Sequence, residues 1–122
     1  MQSPKNRPFV VRLRYAWTGL AHALRTEHSL RLQCGALILV IAALVVLRPG
    51  ALWCALVLLA SAAVLAAELF NTALEHLMDH LHPQLHPQIR IVKDCAAAAV
   101  LITSLGALAV GIALAVHLLA TR

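Results

Sequence analysis

Between Cys95 and Ala120 the chain carries no Asp, Glu, Lys or Arg, and between Ala51 and Ala67 it again carries none. A helix rises about 1.5 Å per residue and bilayer hydrocarbon is about 30 Å thick, so the later run can cross with tilt and the earlier one nearly crosses. A third apolar run, Leu32 to Leu47, is interrupted only by Gln33 and Gly35. Arg48-Pro49-Gly50 then breaks the pattern with a proline and a flexible glycine, which marks a tight turn. With 61% hydrophobic and 12% charged residues, the chain lies far from the soluble balance of about a quarter charged. An all-α integral membrane protein with three transmembrane helices is expected.

Ahead of these runs, Val10, Leu13, Trp17, Leu20, Leu24 and Leu30 recur mostly at helical steps among Arg12, Arg14, Arg25 and Arg31. Such a segment reads as an amphipathic helix lying on the membrane, with Tyr15 and Trp17 at headgroup depth. The expected elements are this surface helix over about 9–31 and transmembrane helices over about 32–47, 51–81 and 94–120, in a single domain. Lys5, Arg7, Arg12, Arg14, Arg25 and Arg31 precede the first span, and Arg90 and Lys93 lie between the second and third. The other side carries Arg48 and Arg122, so the positive-inside rule places the amino terminus in the cytoplasm and the carboxyl terminus outside. The net charge of +5 is assigned to anionic lipid headgroups, not to nucleic acid. MQSPKNRPFVVRLRY lacks the apolar core of a secretory signal peptide, so insertion is expected to rest on the internal spans. Cys34, Cys54 and Cys95 form no ligand spacing and read as packing thiols.

The stretch AELFNTALEHLMDH, residues 67–80, breaks with this apolar background. The chain has five carboxylate side chains, Glu27, Glu68, Glu75, Asp79 and Asp94, and three of them crowd into this segment. On a continuous helix Glu68, Asn71, Glu75 and Asp79 fall within a stripe about 80° wide. Carboxylates at a membrane boundary are costly unless paired, protonated or coordinated, and like charges on one helix face repel. A cation between them would relieve both costs. The oxygen-rich set suits a hard cation such as Mg²⁺ completed by phosphate oxygens, while Glu68, deeper in the apolar layer, suits a general base for a lipid hydroxyl. A polar seam between helices and an ion or drug transporter are the other readings of the same stripe.

His76, His80, His82 and His86 follow, and His76 and His80 at i, i+4 have the spacing to share a transition metal. Pro83 and Pro87 read as a loop, where a histidine-rich segment is usually solvated polar sequence. No GxxxxGK[ST], GxGxxG or HRD-type segment occurs, so spacing alone names no nucleotide.

The run Glu68-Leu69-Phe70-Asn71-Thr72-Ala73-Leu74-Glu75-His76-Leu77-Met78-Asp79 resembles the signature of the prokaryotic diacylglycerol kinases and their relatives the undecaprenol kinases. That signature is Glu, two residues, Asn, Ser or Thr, Ala, an aliphatic residue, Glu, three residues and Asp, and every defining position matches. Lys93-Asp94 followed by Cys95-Ala96-Ala97-Ala98-Ala99 resembles the start of the family's last span, and Tyr15-Ala16-Trp17-Thr18-Gly19-Leu20 with Glu27 resembles its surface helix. The chain departs at Ser29-Leu30-Arg31-Leu32-Gln33, where Gram-negative diacylglycerol kinases usually have Ala-Phe-Arg-Gln-Glu. The loop from His86 to Asp94 is closer to the undecaprenol kinase branch.

The resemblance implies an ATP- and Mg²⁺-dependent lipid kinase, multi-pass in a bacterial inner membrane, acting on diacylglycerol or, alternatively, undecaprenol. It implies Glu68 as the base, Glu27 and Glu75 as metal ligands, and a homotrimer with sites between neighbours. Tyr15, Glu27, Asn71, Glu75, Asp79, Gln84, Leu85, His86, Lys93 and Asp94 would then surround the nucleotide, with Glu68, Trp17 and Arg31 toward the lipid.

Overall fold

The computed structural model describes residues 6–121, so Lys5 and Arg122, used above for orientation, lie outside the described residues. These residues form four helices: α1 (Phe9–Thr26), α2 (His28–Leu47), α3 (Ala51–Leu81) and α4 (Pro87–Ala120). The latter three are long and apolar enough to cross a membrane.

The sequence pattern runs the first helix to Arg31, but the structure breaks it at Glu27. That residue is extended (φ −100°, ψ 114°), closing α1 and opening α2. No proline or glycine signals this break. It is held by side-chain chemistry: Arg31 Nη1 donates to the carbonyls of Leu24 (3.1 Å) and Arg25 (3.0 Å), satisfying orphan acceptors at the end of α1. Leu30, fully buried at 0% exposure, and buried Ala23 fill the corner. The first apolar helix therefore begins at His28 rather than Leu32, and its first two turns carry Ser29 and Gln33.

The expected turn between the first two spans is present. Arg48 takes a left-handed conformation (φ 47°) and Gly50 has φ 104°, where only glycine is unstrained. The turn sends α3 back antiparallel to α2, pairing Leu44 with Val57, and Leu114 of α4 completes this small core. Cys54 packs against it, whereas Cys95 is exposed.

At about 1.5 Å per residue, α3 is roughly 46 Å long, more than the hydrocarbon needs. Its last turns, carrying Glu75 and Asp79, thus extend beyond an apolar layer centred on its first half. α4 starts at Pro87, two turns ahead of the expected residue 94. Proline is well tolerated at a first helical position, and His86 Nδ1 caps the end by accepting from the Gln88 N–H (3.2 Å). α3 packs most extensively on α4. Most large apolar side chains stay exposed, among them Val46, Leu59 and Leu119, as helices facing lipid or other helices require.

Candidate active site

Glu68 is only 5% exposed, although it interrupts an apolar helix. A buried carboxylate needs hydrogen-bond donors, and α2 supplies two. Ser29 Oγ donates to Oε1, and Gln33 Nε2 donates to Oε2 at 3.3 Å. Ser29 and Gln33 stand four residues apart on α2, so one helix face presents both donors to both carboxylate oxygens. Two of the roughly four lone-pair positions of the carboxylate stay free for a reacting group.

One turn along α3, Asn71 Nδ2 donates to Glu75 Oε1 at 3.3 Å, while Asn71 Oδ1 is buried without a partner among the described residues. The break between α1 and α2 brings Glu27 to the same stretch: its Oε1 lies 3.5 Å from Nε2 of His76, the neighbour of Glu75. His22 of α1 meets His76 edge to face, with ring centroids 5.9 Å apart. The two glutamates and the unpartnered amide oxygen of Asn71 are hard donors, a set that fits a small divalent cation sharing its shell with water and phosphate. Among the described residues, no three His, Cys, Asp or Glu side chains are grouped to hold a metal by themselves. His76 faces Glu27 across the α1–α3 contact.

At the end of α3, Lys93 Nζ lies 2.5 Å from Asp79 Oδ1, and Arg90 pairs with Asp94 at 3.8 Å. Asp79, Gln84, Leu85, His86, Lys93 and Asp94 all line one cavity of about 290 Å³ in the α3–α4 corner. Six residues assigned by resemblance to the nucleotide thus share one concavity. The remaining expected residues lie apart from it. Tyr15 is exposed on α1. Trp17 borders a cavity of about 660 Å³ between α1 and α3, together with Leu13, Arg14, Leu20 and Leu69. Arg31 is engaged with the end of α1.

Sequence reasoning did not single out Ser29, Gln33, His22 or His76 for these contacts. The i, i+4 polar pair at the start of an apolar run was the available signal for Ser29 and Gln33. For the histidines there was none, because their meeting depends on the break at Glu27.

The family described as prokaryotic diacylglycerol kinase matches residues 14–115. A curated protein of Synechocystis sp. named diacylglycerol kinase is 39% identical over 103 residues, which cover 84% of this chain and 59% of that relative. The chain therefore spans about three-fifths of the length of the relative it matches.

Proposed function

The chain belongs to the prokaryotic diacylglycerol kinase family, and from that premise we propose that it transfers the γ-phosphoryl group of ATP to a membrane lipid hydroxyl. The leading acceptor is 1,2-diacylglycerol, giving phosphatidic acid. Undecaprenol is the alternative, favoured by the sequence of the His86–Asp94 loop. The observation that carries the reading is Glu68: a carboxylate buried at the apolar end of the stripe, held on both oxygens, with the polar residues of a nucleotide site farther along the same helix.

Glu68 takes the proton of the lipid hydroxyl as that oxygen attacks the γ-phosphorus. The new O–P bond forms as the bond to the β-phosphate bridging oxygen breaks, and ADP departs. The Ser29 and Gln33 donors fix the carboxylate in one orientation, so no rearrangement is needed at the moment of transfer. Glu27, Glu75 and Asn71 Oδ1 would hold Mg²⁺, which when bound neutralises charge on the transferring phosphoryl group. Lys93 and the α3–α4 corner position the polyphosphate, with Asp79 orienting the lysine.

In this reading the protein sits in a bacterial inner membrane with α1 on the cytoplasmic surface and the α2–α3 turn outside, as the distribution of basic residues favours. It assembles as a homotrimer, which would cover apolar helix faces that a single copy leaves exposed. The test is purified protein in mixed micelles with γ-labelled ATP, Mg²⁺ and each lipid alcohol in turn. Label is expected in phosphatidic acid, faster than in undecaprenyl phosphate; the reverse order would select the alternative acceptor.

A further inference from the structure

Four charged side chains line the α3–α4 cavity of about 290 Å³: Asp79, Arg90, Lys93 and Asp94. The family resemblance gives three of them to the nucleotide and leaves Arg90 without a role. Their two ion pairs are unequal. Lys93 Nζ lies 2.5 Å from Asp79 Oδ1, whereas Arg90 approaches Asp94 through Nε alone at 3.8 Å, longer than a hydrogen bond. Arg90 makes no side-chain hydrogen bond among the described residues, so both of its Nη nitrogens are free to donate.

Nothing in the fold calls for a cation at this position. Arg90 stands in the opening of α4, just after Pro87, where the positive end of the helix dipole disfavours positive charge. Its partner Asp94 follows it along the helix, the less favourable order for such a pair, and the two side chains are 80% and 72% exposed. An anion in the cavity reverses that cost, because the guanidinium and the helix end both attract it. With both pairs formed the four charges sum to zero, so a polyphosphate has to draw a cation out of one pair. The looser pair, that of Arg90, yields first.

Arg90 precedes Lys93 on the same face of α4, about 4.5 Å away along the helix axis. Lys93 is level with Asp79, which lies about three turns beyond Glu68 on α3. Of the two cations, Arg90 is therefore the one farther from Glu68, and it meets the phosphate farthest from the one transferred. We propose that Arg90 binds the α-phosphate of the nucleotide through its two Nη nitrogens, while Lys93 serves the phosphates nearer Glu68. This rests on the kinase reading above and deepens it, by naming the residue that holds the part of the nucleotide that does not react.

AMP carries the α-phosphate and no other, and adenosine carries none, so the two separate this contact from the rest of the site. Transfer from ATP to 1,2-dioleoylglycerol is measured in mixed micelles with Mg²⁺ for wild type and Arg90→Gln, with AMP or adenosine as competitor. AMP is expected to inhibit the wild type more strongly than adenosine does. Arg90→Gln is expected to raise both the KM for ATP and the inhibition constant of AMP about tenfold, the scale of a charge-assisted hydrogen bond. Its kcat is expected to stay within about twofold of wild type, because the contact is lost alike from ground state and transition state. Its inhibition by adenosine is expected to be unchanged. AMP no stronger than adenosine against the wild type, an unchanged KM for ATP in Arg90→Gln, or equal weakening of AMP and adenosine would overturn the proposal. Absence of transfer by the wild type would instead overturn the kinase reading, and the proposal with it.

Discussion

Glu27 and His76 meet at 3.5 Å although one closes the first helix and the other lies near the end of the third. The contact ties the α1–α2 break to the helix that carries Glu68 and Glu75. Replacing His76 with Ala removes the tether but leaves in place both carboxylates proposed to hold the metal, Glu27 and Glu75. The expected result is a several-fold rise in the Mg²⁺ concentration needed for half-maximal activity, with the KM for lipid unchanged. A titration of activity against Mg²⁺ at saturating lipid reads it, and an unchanged midpoint would show that the contact does not position Glu27.

Lys93 and Asp79 pair at the rim of the α3–α4 cavity, where both side chains are partly exposed to water. Exposed pairs contribute little to stability, about 0–1 kcal/mol. Lys93→Met is therefore expected to leave the thermal midpoint in detergent nearly unchanged while raising the KM for ATP by about tenfold, through loss of the charge proposed to position the polyphosphate. A large drop in midpoint with an unaltered KM would reverse that assignment and make the pair structural.

Leu30 presents the opposite case, a side chain with no polar role and no exposure. Truncation to Ala in the corner between α1 and α2 is expected to cost about 3 kcal/mol, in the range for buried leucines that leave a cavity. Thermal unfolding in detergent should show the loss. Arg31→Met, which removes the cap on the exposed Leu24 and Arg25 carbonyls, should cost about 1 kcal/mol, the net worth of hydrogen bonds that water can replace.

The three spans were legible because charge-free runs of that length have few alternatives, and the α2–α3 turn was legible in Pro49 and Gly50. The carboxylate stripe was legible too, since α3 is continuous from Ala51 to Leu81 and spacing alone places Glu68, Asn71, Glu75 and Asp79 on one face. The break at Glu27 was not. Its cause is a long-range choice by Arg31, whose guanidinium reaches back to carbonyls six and seven residues earlier, and no local propensity encodes that. Missing the break also hid the Glu27–His76 contact and placed Ser29 outside the first span. The early start of α4 was obscured by Pro87, which signals a loop in a sequence and serves equally as a first helical residue.

Glu68 carries the central claim, that a buried carboxylate held by Ser29 and Gln33 accepts the proton of a lipid alcohol during phosphoryl transfer. The most direct measurement pairs ATP affinity, by calorimetry in detergent with Mg²⁺ present, with the rate of label transfer to diacylglycerol for wild type and Glu68→Gln. The near-isosteric amide keeps the packing but loses the base. Transfer is expected to fall at least about a hundredfold, the scale of general base catalysis, with ATP affinity within about twofold of wild type. Transfer by Glu68→Gln at a rate close to wild type would contradict the account.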